Sequence, residues 1–434
     1  MKSLWQASVE LPEFEALRGS KKTDVLVIGG GMAGLLCAYF LKKEGVDCIL
    51  TEAGRICGGV TGNTTAKITA QHGLIYADLI RRFGQEKASM YLNANLDAIE
   101  DYQELCRDIS CGFEWESAYV YSLDDRPGLE REQEALEKLH YPSTFEEKVS
   151  LPLPAVGAVC FPKQAQFHPL RFAAGLAKSL PVYEHTRVRE LRGYEAVTDA
   201  GVITAEKIVV ATHFPFLNKH GLYFLKLYQD RSYVLALEGA DEVDGMYIDG
   251  SGKGLSFRNA GGLLLLGGGS HRTGKKGEGW EGLRKAGREL YPNGVERYHW
   301  AAQDCMTLDG VPYIGPYSKS TPRLYVATGF QKWGMTGSMA AARLLTGQIL
   351  GRPSPYAPVF DPSRTILRPQ LAVNGVESAV NLLTPTAPRC PHMGCALKWN
   401  PEEKSWDCPC HGSRFAGDGR LLDNPANGDL PKGP

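Results

Sequence analysis

Near the C-terminus two short boxes bring cysteine and histidine together, Cys390-Pro-His392 and Cys408-Pro-Cys410-His411. The spacing is C-x-H, then 15 residues, then C-x-x-H. Thiolates and imidazoles at such separations suit a transition metal, and the four residues alone are compatible with a Cys2His2 zinc site. Two features count against zinc. C-x-H puts the first two ligands on one short loop, unlike the first pair of a zinc finger. In addition, Cys395 and Cys410 would be left over beside the ligands.

The full boxes, Cys390-Pro-His392-Met-Gly394-Cys395 and Cys408-Pro-Cys410-His411-Gly412-Ser413, resemble those of the Rieske family. The resemblance implies a [2Fe–2S] cluster, with Cys390 and Cys408 on one iron and His392 and His411 on the other. It also implies a Cys395–Cys410 disulfide that ties the two loops together. Neutral imidazoles in place of two thiolates raise such a cluster to about −150 to +300 mV. Ser413 matches the residue whose hydroxyl bonds a bridging sulfide. Phe415 stands where high-potential members carry Tyr, which implies the lower or middle part of that range. A full Rieske domain has a longer run of strand before its first box. Here Asn381–Cys390 is short and proline-rich, and residues 365–380 read as a helix or an irregular strand. The expectation is a small all-β domain with a truncated base sheet, leaning on the rest of the chain.

The elements upstream carry a different signature. Asp24-Val-Leu-Val-Ile-Gly29 reads as a buried strand and is followed by Gly29-x-Gly31-x-x-Gly34, a helical run, and a second strand ending at Glu52. In that context the glycines have separate jobs. Gly29 permits the turn, Gly31 lets backbone approach a pyrophosphate, and Gly34 lets helix and strand pack closely; the helix N-terminus faces the phosphates. Glu52 would accept hydrogen bonds from a ribose hydroxyl. Beyond it, Arg55-Ile-Cys-Gly58-Gly59-Val-Thr61 resembles the second fingerprint of FAD enzymes of the glutathione-reductase superfamily.

Later segments extend that resemblance. Lys207-Ile-Val-Val-Ala-Thr-His213 looks like the next strand and turn of the same fold, and Val188 matches the position whose backbone faces the adenine. Asp309-Gly310-Val-Pro-Tyr-Ile-Gly315 precedes Leu324-Tyr-Val-Ala-Thr-Gly329-Phe-Gln-Lys332-Trp333-Gly334-Met335-Thr336, after which a helix runs to about Leu350. That segment would pass under the flavin and aim a helix N-terminus at it. Residues of about 3–352 resemble the D-amino-acid-oxidase/sarcosine-oxidase (DAO, DadA-like) family. The resemblance implies an α/β fold: a Rossmann-like FAD-binding domain interleaved with an α+β substrate domain built on a large antiparallel or mixed sheet.

The expected division is 1–365 for the oxidoreductase and 366–434 for the Rieske domain. FAD-binding segments fall at about 20–75, 155–215 and 300–352, and substrate or roof segments at about 76–154 and 216–299. Helices are expected at about 76–108 and 129–139, and a proline-rich connector from Gly351 to Pro362. A chain of 434 residues is long enough for two or three domains. With 22% charged residues and a formal net charge of −1, it offers no basic face for nucleic acid. The first 22 residues lack an apolar core, a small-residue cleavage site and a twin arginine, so no export signal is read and a cytoplasmic protein is expected. Val25–Leu41 carries no charge, but a glycine triplet interrupts it and it is short for a membrane span. Of the 11 cysteines, seven (37, 48, 57, 106, 111, 160, 305) are scattered without ligand spacing and read as small buried hydrophobes.

Members of the DAO family oxidise C–N bonds of amino acids or amines by hydride transfer to flavin N5. The expectation is therefore an FAD-dependent dehydrogenase whose cluster relays electrons singly to an unidentified acceptor. The alternative is a flavoprotein whose cluster serves sensing or structure. A hydroxylating oxygenase ranks last, since no 2-His-1-carboxylate grouping is evident. No second dinucleotide fingerprint occurs in residues 120–300, which argues against direct oxidation of NAD(P)H. A carboxylate-bearing substrate would want an arginine or tyrosine on the roof. Arg258, Tyr233 and Arg272 are candidates there, and Lys332 and Trp333 stand in the loop nearest the flavin.

Overall fold

The computed structural model describes residues 2–385 and 388–431. Its first sheet runs Tyr313–Pro316, Leu324–Thr328, Val202–Val210, Lys21–Ile28, Cys48–Thr51, Val182–Tyr183, with the hairpin Val188–Arg192/Glu195–Thr198 attached beside Val202–Val210. The central strands are parallel, with Val25 opposite Lys207 on one side and Cys48 on the other. Val25, Leu26, Val27 and Ile28 are all buried, as expected of a parallel strand covered on both faces. Helix Met32–Lys43 follows at once and packs against helix Gly334–Ile349. Met335, Met339, Ala341, Leu344 and Leu345 on the latter join the main core. The uncharged stretch from Val25 to Leu41 is thus a strand and a helix, and no helix among the described residues is long and apolar enough to cross a membrane.

The second sheet has nine strands and forms the roof. Its long members are Val295–Thr307, Leu227–Glu238, Leu263–Arg272, Glu114–Ser122 and Gly157–Gln166. Most pairings are antiparallel, but Met246–Asp249 runs parallel to Glu114–Ser122, so the sheet is mixed. Three of its strands lie in segments expected to serve the nucleotide half: Lys67–Ile68, Gly157–Gln166 and Val295–Thr307. The crossovers between the sheets therefore occur later than the sequence reading puts them at 155, and the 300–352 segment begins inside the roof. A buried, β-branched strand reads the same from sequence in either sheet; pairing partners decide its place.

The helix expected over 76–108 is two, Tyr76–Phe83 and Gln85–Cys106, broken where Gly84 takes φ +84°. The proline-rich connector is partly folded: Ala357–Phe360 is a helical turn with Val359 and Phe360 buried. Arg364 then pairs with buried Asp309 at 2.7 Å, so the chain stays on the flavin unit to that point. Residues 365–380 resolve as a helix, Pro369–Leu383, with proline in its first turn. The last sheet is four antiparallel strands of three residues each, Lys398–Asn400, Ser405–Asp407, Arg414–Ala416 and Leu421–Asp423. This is the small, cut-down sheet expected.

Candidate active site and metal centre

The glycine-rich turn sits at the end of the first strand. Gly29 has φ +112°, and a Cβ there would lie 2.5 Å from the carbonyl oxygen of Ala211. A Cβ on Gly34 would lie 1.8 Å from the carbonyl oxygen of Gly29, so Gly34 acts as a packing residue. Gly59, by contrast, borders open space, and a Cβ on Gly31 would meet only Thr61 Oγ1, at 3.4 Å, which itself accepts the Met32 N–H at 3.1 Å. Glu52 is held at the strand end by the N–H groups of Gly30 (2.7 Å) and Gly54 (2.8 Å), and burial pushes its carboxyl pKa up. Arg55 pairs with buried Glu184 at 2.9 Å and with Glu13, pinning the N-terminal arm beside the cradle.

These residues border one cavity of about 1420 Å³, which Gly29, Gly31, Glu52, Gly58, Gly59 and Thr61 line at one end. Arg55, Val188, Gly310, Lys332, Trp333, Gly334 and Met335 also line it. Two glycines on the cavity wall, a helix N-terminus whose N-cap Gly31 has no side chain to cover it and a carboxylate at the strand end fit an FAD. Gly34→Ala is expected to lower FAD occupancy and to destabilise the protein by about 1–3 kcal/mol, because the methyl overlaps a backbone oxygen. Flavin absorbance and thermal unfolding measure both, and full flavin content at unchanged stability contradicts this placement.

Besides the packing residue Gly34, three sequence candidates, Arg258, Arg272 and Thr336, fall outside the cavity wall. Arg258 is buried, and its guanidinium donates to the carbonyls of Thr65 (2.6 Å), Ala66 (2.7 Å) and Asn259 and lies over Trp5. It braces the fingerprint loop from behind and offers nothing to a substrate. Thr336 is likewise behind the wall, donating to the Thr69 carbonyl at 3.0 Å. Arg272, the third roof candidate, donates to the carbonyls of Pro409 and Cys410, each at 2.9 Å, and to Asn374. Tyr233 reaches Glu403 at 3.3 Å.

The roof supplies residues that sequence reading passed over. Asp230 and Asp304 are direct partners on neighbouring strands, both facing the cavity. Burial raises both carboxyls, and Lys332 opposes that rise. Lys332 Nζ donates to Ser232 (2.9 Å) and Ser270 (2.5 Å) and lies 3.9 Å from Asp304. Lys67 also lines the cavity, and burial lowers its pKa to about 7. His72 stacks on Trp333 at 4.8 Å, bonds Tyr91 and the Thr69 carbonyl, and is held neutral by burial, at about 3. Lys332 and Trp333 stand in the loop that the sequence marks, but no local signal marks Asp230 and Asp304, which meet only through strand pairing.

The metal centre is built from two loops of one design. The Cys390 N–H donates to the Cys395 carbonyl (2.9 Å), and the Gly394 N–H returns to the Cys390 carbonyl (2.8 Å). Likewise the Cys408 N–H donates to the Ser413 carbonyl (2.8 Å), and the Gly412 N–H to the Cys408 carbonyl (2.9 Å). Both glycines have positive φ, +80° and +85°, which closes each turn. Cys395 and Cys410 form a disulfide across the loops. Cys390 and Cys408 are buried beside each other, and the His392 and His411 rings lie 4.9 Å apart at 88°.

The Nδ1 atoms of both histidines are buried without a hydrogen-bond partner among the described residues. Burial keeps both imidazoles neutral, His392 at about 4 and His411 at about 3. Two orphaned ring nitrogens and the neighbouring thiols of Cys390 and Cys408 are the donor set that a [2Fe–2S] cluster takes. With Cys395 and Cys410 oxidised to each other, the leftover cysteines are accounted for. Ser413 is fully buried, its hydroxyl near Cys390 and accepting the Ala426 N–H at 3.0 Å. Phe415 is buried in the core of this unit. On the solvent side, Asn218 Oδ1 meets His392 Nε2 at 2.9 Å.

The second loop is docked on the roof strands that carry Asp230 and Asp304, through residues next to the cavity wall. Gln229 donates to the carbonyls of His411 (2.8 Å) and Asn424 (2.9 Å), and Gln303 to that of Gly412 (2.8 Å). Thr212 and His213 line the cavity, while the Phe214 ring next to them packs 6.1 Å from His411 and 6.3 Å from His392. Asn427 donates to the Val188 carbonyl at 3.1 Å, so the C-terminal segment also holds the strand expected beside the adenine. Buried Arg231 of the roof forms a bidentate pair with Glu403, which also binds Arg414 at 2.9 Å; Arg414 reaches Asp407 and Asp423 at 3.0 Å.

Comparison with known proteins agrees with both halves. The family described as FAD dependent oxidoreductase (DAO) matches residues 24–348, and the Rieske [2Fe-2S] domain matches residues 372–434. YhfW of Bacillus subtilis (strain 168), named as a Rieske 2Fe-2S iron-sulfur protein, is 34% identical, covering 97% of this chain and 95% of that one. Among solved structures, glycine oxidase from Geobacillus kaustophilus superposes with a TM-score of 0.68 at 19% identity, over 80% of this chain and 100% of that one. L-proline dehydrogenase from P. horikoshii gives 0.67 at 18%, over 80% and 98%. The chain belongs to the DAO family of FAD-dependent oxidoreductases and carries a Rieske [2Fe–2S] domain at its C-terminal end.

Proposed function

We propose that this enzyme oxidises the C–N bond of an amine or amino acid and passes the electrons, one at a time, through its Rieske centre to an acceptor. Bound FAD supplies a hydride acceptor, and the [2Fe–2S] cluster supplies a one-electron carrier. The chain's own residues bind, orient and enclose. The observation that carries the reading is the docking of the second cluster loop, through Gln229 and Gln303, on the two roof strands whose neighbouring residues Asp230 and Asp304 line the cavity, with Thr212-His213-Phe214 running from the cavity towards His411. A cluster used only for folding needs no place there.

The roof narrows the substrate. Arg231, Arg258 and Arg272 are each committed to a carboxylate or to backbone carbonyls. Asp230 and Asp304 face the space with Lys332 between them and the serines. Like charges opposite each other on paired strands cost stability, and a cationic nitrogen placed there would relieve that cost. The names of the similar solved structures, a glycine oxidase and a proline dehydrogenase, agree with C–N chemistry.

The test uses the holoprotein without oxygen. It is mixed with D-amino acids, sarcosine, proline, glycine or polyamines while flavin bleaching and the cluster EPR signal are followed together. The expected result is bleaching followed by growth of the reduced-cluster signal. Bleaching with a cluster that stays diamagnetic overturns the relay and leaves the cluster a sensing or structural element. Absence of bleaching across the whole panel overturns the C–N reading.

A further inference from the structure

Two of the cysteines that look scattered in sequence meet at the end of a helix. Cys106 closes helix Gln85–Cys106, and Cys111 follows after Arg107-Asp-Ile-Ser110. Their Sγ atoms lie 3.2 Å apart and share a hydrogen bond. Cys111 is buried, its carbonyl accepting the His168 N–H at 2.8 Å. Cys106 is half-buried, and among the described residues it is the only free cysteine that is not fully buried.

We propose that Cys106 and Cys111 are a reversible dithiol–disulfide pair, a thiol-modification site separate from both cofactor centres. Four intervening residues form the turn that brings the sulfurs together, so closing the bond asks little of the backbone. The pair differs from its neighbours in chemistry as well as place. Burial drives the thiols of Cys37 and Cys57 far up, which makes them inert. In this pair the shared hydrogen bond, not burial, dominates: it holds Cys111 down, with backbone N–H groups and Arg171 adding to it, and holds Cys106 up, so one sulfur gives up a proton while the other keeps one.

The reaction is thiol–disulfide exchange with a small disulfide such as oxidised glutathione. The pair gives up one proton from Cys111, Cys106 hands its own proton to the Cys111 sulfur across the shared hydrogen bond, the half-buried Cys106 sulfur attacks one sulfur of the reagent, and one glutathione leaves as a thiol carrying the proton given up. Cys111 then attacks the Cys106 sulfur of the mixed disulfide, loses the proton it received, and releases the second glutathione. The protein gives up two electrons and two protons, and the reagent takes both. The bond would tie the helix end to the chain entering strand Glu114–Ser122. One turn back on that helix, the Tyr102 hydroxyl donates to the Met335 carbonyl at 3.1 Å, in the first turn of the helix facing the cofactor cavity.

The experiment takes the full-length holoprotein, exposes it to oxidised glutathione, blocks remaining thiols with iodoacetamide and maps the peptides by mass spectrometry. The expected product is a Cys106–Cys111 linkage that dithiothreitol reverses, with Cys37 and Cys57 unmodified. In the C111S variant glutathione should remain on Cys106, because the resolving thiol is gone. Matching flavin content and thermal unfolding show that the variant is folded, and C106S is read in parallel, where Cys111 should stay free of glutathione. Wild-type protein that keeps glutathione on Cys106, or that leaves both thiols open to iodoacetamide after oxidant, overturns the proposal.

Discussion

Replacing His411 by leucine is expected to remove the Rieske EPR signal and its visible absorbance while leaving the flavin band in place. His411 is almost fully buried, its Nδ1 has no partner among the described residues, and its loop rests on Gln229. Leucine fills the volume but offers no lone pair, so one iron loses a quarter of its coordination and the cluster is not retained. The flavin cradle is built on other elements, which is why its absorbance serves as the internal control. A graded comparison comes from Gln229→Leu. That change removes the bonds to the His411 and Asn424 carbonyls while keeping all four ligands, and outer-shell losses of this kind weaken metal retention by roughly 10–100-fold. Iron and flavin content per chain measure both variants. A H411L protein with full iron content and an unaltered EPR spectrum rules out the assigned ligand set.

Glu403→Ala should be the most damaging change to stability away from the cofactors. Glu403 joins the two halves: it pairs with Arg231 on the roof and Arg414 in the small sheet, and all three side chains are buried. After the substitution Arg414 keeps Asp407 and Asp423, but Arg231 has no carboxylate partner left among the described residues. Breaking one side of a buried pair costs about 3–5 kcal/mol, mostly the desolvation of the stranded charge. Glu403→Gln, which keeps the shape and an acceptor, should cost less. Chemical denaturation of the two variants against the parent gives the comparison, and equal stability of E403A and parent removes the pair from the account.

The same pair sets an acid limit. Burial by itself would raise the Glu403 carboxyl, but Arg231 and then Arg414 outweigh it and hold the pKa at about 2, against an ordinary value of 4.5. A carboxyl depressed on folding contributes stability above its unfolded value and loses it as pH falls through the folded one. The contribution of Glu403 is therefore complete above about pH 4.5 and fades between there and about 2. In E403A the denaturation midpoint should lose that part of its acid dependence.

Local chemistry made much of this protein legible from its sequence. Metal ligands and glycine fingerprints depend on residue type at fixed short spacing, because one loop or one strand–turn–helix has to present them together. Cys390, His392, Cys408 and His411 are brought together on two short loops, and Gly29, Gly31 and Gly34 on one strand–turn–helix. The cut-down Rieske sheet was readable too, because too few strand residues precede the first box.

What needed the folded chain was everything made by pairing distant segments. Strand membership decided that Gly157–Gln166 and Val295–Thr307 belong to the roof. Side-chain direction decided that Arg258 braces a loop and Arg272 clamps the cluster, although either could have met a substrate. Asp230 facing Asp304, Gln229 and Gln303 under the second loop, and Arg231 meeting Glu403 join residues between about 70 and 180 positions apart. Periodicity and spacing extend over a turn or a strand and carry no information across such separations. Long-range contacts are set by which buried faces and backbone groups find partners, and only the tertiary structure resolves that choice.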